Sequence, residues 1–134
     1  MLNSVGKHVI VDLFGCNSQL LEKVEFISEV MQEAARKSKA TIVGKFFKQF
    51  DPYGVSGVVI ISESHLSIHT WPEHGLASID YFSCSDEVDI SAAIAYLKNA
   101  LNAKTKKEIE VRRGSMEIIN HVDFLGTTIN EMAI

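Results

Sequence analysis

Between Val55 and Cys84, three strand-like segments follow one another with connections too short to hold a helix. Val55 to Ser62 is the most apolar of them, and Leu66 to Trp71 and Leu76 to Cys84 alternate apolar with polar residues. Only Glu63, Ser64 and His65 separate the first pair, and Pro72 and Gly75 bracket the next turn. Parallel strands need a long crossover, so neighbours this close pair as antiparallel hairpins. The alternation also assigns faces. Leu66, Ile68 and Thr70 share one side, with His65, Ser67 and His69 on the other; Ala77, Ile79 and Tyr81 likewise oppose Ser78, Asp80 and Phe82.

The flanks add helices and outer strands. His8 to Phe14, rich in Val and Ile and ended by Gly15, reads as a first strand. Leu20, Val24, Ile27, Met31 and Ala34 recur at helical spacing behind a cap at Asn17 or Ser18. Thr41 to Phe50 reads as a strand whose aromatic end carries Phe46, Phe47 and Phe50, closed by the turn Asp51-Pro52-Tyr53-Gly54. Ile90, Ala93, Ile94, Leu97 and Leu101 mark a second helix capped by Asp86 or Asp89, and Lys107 to Arg112 a last strand. Ser115 to Ile134 carry no assignable pattern. The order β-α-β-β-β-β-α-β, in a single domain of residues 1–134, predicts an α+β two-layer sandwich: a largely antiparallel sheet with both helices on one face. The run Val58 to Ile61 is expected to be buried on both faces, and two helices cover only one. A homodimer packed sheet against sheet, as α/β/β/α, is the simplest cover for the other.

Composition excludes several classes. With 46% hydrophobic and 22% charged residues, the chain belongs with folded proteins rather than disordered ones. Thirteen Lys and Arg against seventeen Asp and Glu, a net charge of −4, leave no global field for nucleic acid. No apolar run approaches the ~20 residues of a membrane helix, and the amino terminus MLNSVGKHVIVDLFGC lacks the pattern of a signal peptide. Neither membrane nor nucleic-acid partners are expected, and the location reads as cytoplasmic. Cys16 and Cys84 are too few for a disulfide framework and lack the spacing of a zinc knuckle.

One place breaks the local rules. A turn as tight as Glu63-Ser64 ordinarily recruits Gly, Asn or Asp, and none is present, so strained backbone is expected there and marks a candidate functional site. His65, His69 and His74 stand nearby with Glu73. Three histidines suit zinc, but positions i and i+4 of a strand lie about 13 Å apart, too far to share an ion, and no metal is assigned. Histidines bonded at a sheet end are the plainer reading.

The stretch DPYGVSGVVIISESHLSIHTWPEHGLASIDYFSC, Asp51 to Cys84, closely resembles the core of the prokaryotic S-adenosylmethionine decarboxylase proenzymes, pyruvoyl-dependent enzymes of polyamine synthesis. The likeness extends weakly upstream, covering residues 5–103, and its most discriminating part is SESHxSIHTWPE with a Cys eleven residues after the final Glu. The resemblance implies self-cleavage: the Ser64 hydroxyl attacks the Glu63 carbonyl, and the resulting ester breaks down to a pyruvoyl group at position 64. Chains of residues 1–63 and 64–134 would result. It implies further that Ser56 and His69 serve processing and that the pyruvoyl forms a Schiff base with S-adenosylmethionine and releases CO2, giving the aminopropyl donor for spermidine synthesis. Cys84 matches the proton donor and is expected to matter chiefly after cleavage, Phe50 matches an adenine platform with Trp71 as a weaker second, and Glu73 matches the carboxylate on the ribose. Judged singly, these residues are ordinary: a strand hydroxyl, a small buried thiol, core aromatics. Two other readings stay open. One is a pyruvoyl decarboxylase of the same family acting on arginine or another amino acid; the other is a dimeric ligand-binding module that never cleaves, which needs none of Ser56, Ser64, His69 and Cys84 together.

Overall fold

The computed structural model describes residues 5–114, so the unassigned stretch Ser115 to Ile134 lies outside the described residues. The elements run β1 (Gly6–Phe14), α1 (Ser18–Leu21), α2 (Val24–Lys37), β2 (Ile42–Gln49), β3 (Val55–Ile61), β4 (Ser64–Trp71), a 3-10 turn (Pro72–His74), β5 (Leu76–Ser83), α3 (Ile90–Ala100) and β6 (Thr105–Arg113). The six strands form one sheet in the order β2-β3-β4-β5-β1-β6, every pair antiparallel. Among the described residues, no helix is long and apolar enough to cross a membrane.

One face of the sheet makes the core. Val9, Val11 and Leu13 of β1, Leu66, Ile68 and Thr70 of β4, and Ala77, Ile79 and Tyr81 of β5 are buried against Ile27, Met31 and Ala34 of α2 and Ala93, Ile94 and Leu97 of α3. The period-2 pattern in the strands and the helical spacing meet on this surface, as the sequence predicts. Gly57 lies on the same face by the alternation of β3, and the ring of Phe47, its register partner, occupies the space a Cβ would need.

One expectation is corrected. The first helix is not continuous: Asn17 caps only the short α1, accepting from the backbone N–H of Gln19 and Leu20, and α2 starts afresh after Lys23. The Thr70 hydroxyl of β4 donates to the Leu21 carbonyl at 2.9 Å, taking an acceptor that a continuing helix would use. Within one chain the run Val58 to Ile61 is covered on one face only, the other being the face for which the sequence reading calls on a second copy. Val59 and Ile61 enter the core, whereas Ile60 is 47% exposed on the far side. The reason is geometric, since both helices pack on the opposite face. Ile10, at 42%, and Ile109, at 49%, are bared on that open face with it.

Candidate active site

The β3-β4 hairpin closes with Ser62 and Glu63 between paired Ile61 and Ser64. Ser64 has φ +149°, in the region that side chains with a Cβ avoid, so the strain expected from the missing turn residues falls on this serine. It is held from two directions. The Glu63 carbonyl, the first atom of the peptide bond leading into Ser64, accepts the backbone N–H of Cys84 at 3.0 Å and the Cys84 thiol at 3.2 Å. Ser83, next to Cys84, is the register partner of Ser64 on β5. Cys84 is exposed, whereas Cys16 is buried and its thiol donates to the Leu13 carbonyl.

Ser56 and His69 form a second centre. They are register partners across β3 and β4, with Ser56 Oγ 2.8 Å from His69 Nδ1, on the open face. The Trp71 ring lies 6.2 Å from that of His69. A shallow, largely apolar hollow of about 380 Å³ beside the pair is lined by Phe46, Phe50, Val58 and Ser67 among others. Glu73 is exposed in the 3-10 turn just beyond Trp71. Phe46 was not singled out by its spacing, although its period-2 relation to Phe50 puts both on one face; it is 67% exposed there.

The two centres are not one site within a single chain. Five residues of extended strand separate Ser64 from His69, about 16 Å. Glu63, Ser64 and Cys84 gather at one end of the sheet, while Ser56, His69, Phe50, Trp71 and Glu73 lie toward the other.

The histidines also group differently from the sequence trio. His65 meets His8 and Asp80, not His69 and His74: Asp80 Oδ2 lies 2.6 Å from His8 Nε2 and 3.3 Å from His65 Nε2, and Ser67 donates to the other carboxylate oxygen. Arg113 faces His8 Nδ1 at 3.1 Å, which sets the imidazole hydrogen on Nε2, pointing at Asp80. A metal ion would need that nitrogen's lone pair, so the group fits a hydrogen-bonded cluster rather than a ligand set. Burial opposes charge on Asp80, but the bonds from Ser67, His8 and His65 outweigh it and hold the carboxyl below its usual range.

A strained serine follows a glutamate whose carbonyl is doubly hydrogen-bonded, at the turn of an antiparallel hairpin in a six-stranded α+β sandwich, and a hydroxyl placed there stands next to the peptide carbonyl before it. The chain belongs to the S-adenosylmethionine decarboxylase family, which matches residues 7–114. An S-adenosylmethionine decarboxylase proenzyme of Thermosipho melanesiensis is 48% identical over 118 residues, 88% of this chain and 91% of that protein. One from Acidithiobacillus ferrooxidans is 41% identical over 133 residues, 99% and 96% of the two chains. The crystal structure of the adenosylmethionine decarboxylase from Aquifex aeolicus superposes with a TM-score of 0.79 at 36% identity, covering 84% of this chain and 93% of that one.

Proposed function

We propose that this chain is a proenzyme that cleaves itself between Glu63 and Ser64 and then decarboxylates S-adenosylmethionine. The observation that carries the reading is the strained Ser64 behind a carbonyl already bonded to Cys84. Ser64 Oγ attacks the Glu63 carbonyl carbon, the C–N bond breaks, the hydroxyl proton passes to the released nitrogen, and an ester replaces the amide. The Cys84 N–H and thiol face the oxygen on which negative charge develops, and relief of the φ at Ser64 lowers the barrier further. Removal of the Ser64 Cα proton then expels the Glu63 carboxylate, and hydrolysis with loss of ammonia leaves a pyruvoyl group at the head of residues 64–134, beside residues 1–63.

That group supplies what no side chain has, a carbonyl that condenses with the substrate amine and takes up the electron pair left as CO2 departs. Cys84 is the proton donor of turnover, supported by its exposure and its place next to the register partner of Ser64. Phe50, with Trp71 behind it, offers the adenine a face on which to stack, and Glu73 offers two acceptor oxygens to the ribose. The two unpaired cysteines suit a reducing, cytoplasmic compartment.

The separation of the two centres favours a homodimer. A second copy laid sheet against sheet with opposed strands covers Ile10, Ile60 and Phe46 and sets His69 of the partner subunit beside Ser64, where it can take the Cα proton. Ser56 of the partner subunit then holds that imidazole.

Intact mass tests the first step: purified protein should contain two chains, the smaller ending at Glu63, and Ser64→Ala should remain whole. CO2 release measured side by side with S-adenosylmethionine, arginine and ornithine tests the second, with Glu73→Gln weakening turnover of the first without slowing cleavage. A preference for arginine would overturn the substrate, and a wild-type chain that stays full length would overturn both steps.

A further inference from the structure

The Glu63 side chain has a bond of its own. Its Oε1 accepts the backbone N–H of Thr41, just before β2, at 3.3 Å, and the preceding N–H, that of Ser62, donates to the Thr41 carbonyl at 2.9 Å. Thr41 lies 22 residues back along the chain, so the hairpin tip is stapled to the entry of a different strand. On the opposite side, Cys84 holds the Glu63 carbonyl. The residue before the scissile bond is thus gripped through its side chain at the entry to β2 and through its backbone just beyond the end of β5.

We infer that the Glu63 carboxylate is a positioning residue for self-cleavage: it anchors Glu63 to Thr41 so that the peptide plane leading into Ser64 cannot turn. This rests on the self-processing reading above. A peptide free to rotate would relieve Ser64 by swinging its φ to ordinary negative values, and the same swing would carry the carbonyl oxygen away from Cys84. With both ends of Glu63 held, the deviation stays on Ser64, and the carbonyl stays where the charge of the acyl shift can be met. The glutamate contributes as a hydrogen-bond acceptor, not as a charge or a proton carrier, so an amide can replace it.

The test follows freshly folded full-length proenzyme as it converts to two chains. Glu63→Ala should lengthen the half-time about tenfold, the effect of losing about 1.4 kcal/mol of transition-state positioning, while Glu63→Gln, which keeps an acceptor oxygen, stays near the wild-type rate. In the uncleavable Ser64→Ala background, adding Glu63→Ala should shift the thermal midpoint by no more than the few degrees that one exposed hydrogen bond is worth, so the slowing is not a loss of fold. Hydroxylamine, which cuts esters, should not accelerate Glu63→Ala, because the step slowed precedes the ester. Cleavage of Glu63→Ala at the wild-type rate, Glu63→Gln as slow as Glu63→Ala, or rescue by hydroxylamine would each overturn the inference while leaving self-processing intact. A wild-type chain that never cleaves would instead remove the reading on which it rests.

Discussion

Cys84 meets the Glu63 carbonyl through both its N–H and its thiol, so the proposed mechanism gives it a part in processing as well as in turnover. From the sequence it is expected to matter chiefly after cleavage. Cys84→Ala keeps the N–H and loses the thiol. It should therefore slow processing about tenfold, the effect of losing one hydrogen bond of about 1.4 kcal/mol, yet reach completion, while turnover by the cleaved fraction falls much further. A gel time course alongside CO2 release separates the two, and normal turnover would remove Cys84 as proton donor. His69→Ala should fail later, with an accumulated ester that hydroxylamine cleaves; an intact amide resistant to hydroxylamine would place His69 in the acyl shift instead. The strain at Ser64 was legible in the sequence because the turn lacks the residues a turn needs. The Glu63 contact with Thr41 was not, since a bond across 22 residues leaves no local signature.

At the scale of elements, hairpin lengths decided most of the sheet, and the Asp80 cluster shows what they left open. Asp80 on β5 gathers Ser67 and His65 from β4 and His8 from β1, joining three adjacent strands on the open face. Burial works against its charge, but those bonds prevail and lower its pKa. A carboxyl whose folded pKa lies below its unfolded value near 3.9 stabilises the fold fully above that value and loses the contribution as pH falls through the folded pKa. The stability gap between wild type and Asp80→Asn should thus be wide at about pH 5 and narrower at about pH 3 by chemical denaturation. A gap that widens on acidification would contradict the sign. Period-2 alternation put Ser67 and Asp80 on the correct face, but the pairing with His8 depends on β1 lying beside β5, a non-local choice that no single segment encodes. The break between α1 and α2 has the same origin, because the Thr70 hydroxyl reaches the Leu21 carbonyl across 49 residues.

At the scale of the whole molecule, the distance between the two centres is what the proposed dimer answers. One chain keeps Ser64 and Cys84 about 16 Å from His69 by strand rise, so the homodimer proposed above makes a site shared between copies. Ser64→Ala and His69→Ala should each fail alone. Mixed through a cycle of unfolding and refolding, they should form hybrids in which the His69→Ala chain is cut, because its Ser64 meets the intact histidine of its partner. Intact mass identifies which chain is cut, and a mixture that stays whole would place the site within one chain. Sedimentation should report two copies of the protomer, and Ile60→Glu, which sets a charge on the open face, should yield monomers that do not cleave. The amino-acid sequence by itself determined the antiparallel hairpins, the face each residue takes, the helical stripes that cover one side and the serine that bears the strain, because alternation, spacing and missing turn residues act over a few neighbours. Only the tertiary structure decided that Glu63 is gripped by Thr41 and Cys84, that His65 serves Asp80 rather than a trio with His69 and His74, and that Ser56 and His69 stand apart from Ser64. Those depend on which strands lie side by side and how far along them two residues fall, and both follow from packing the whole sheet onto α2 and α3, where distant parts of the chain compete for the same core.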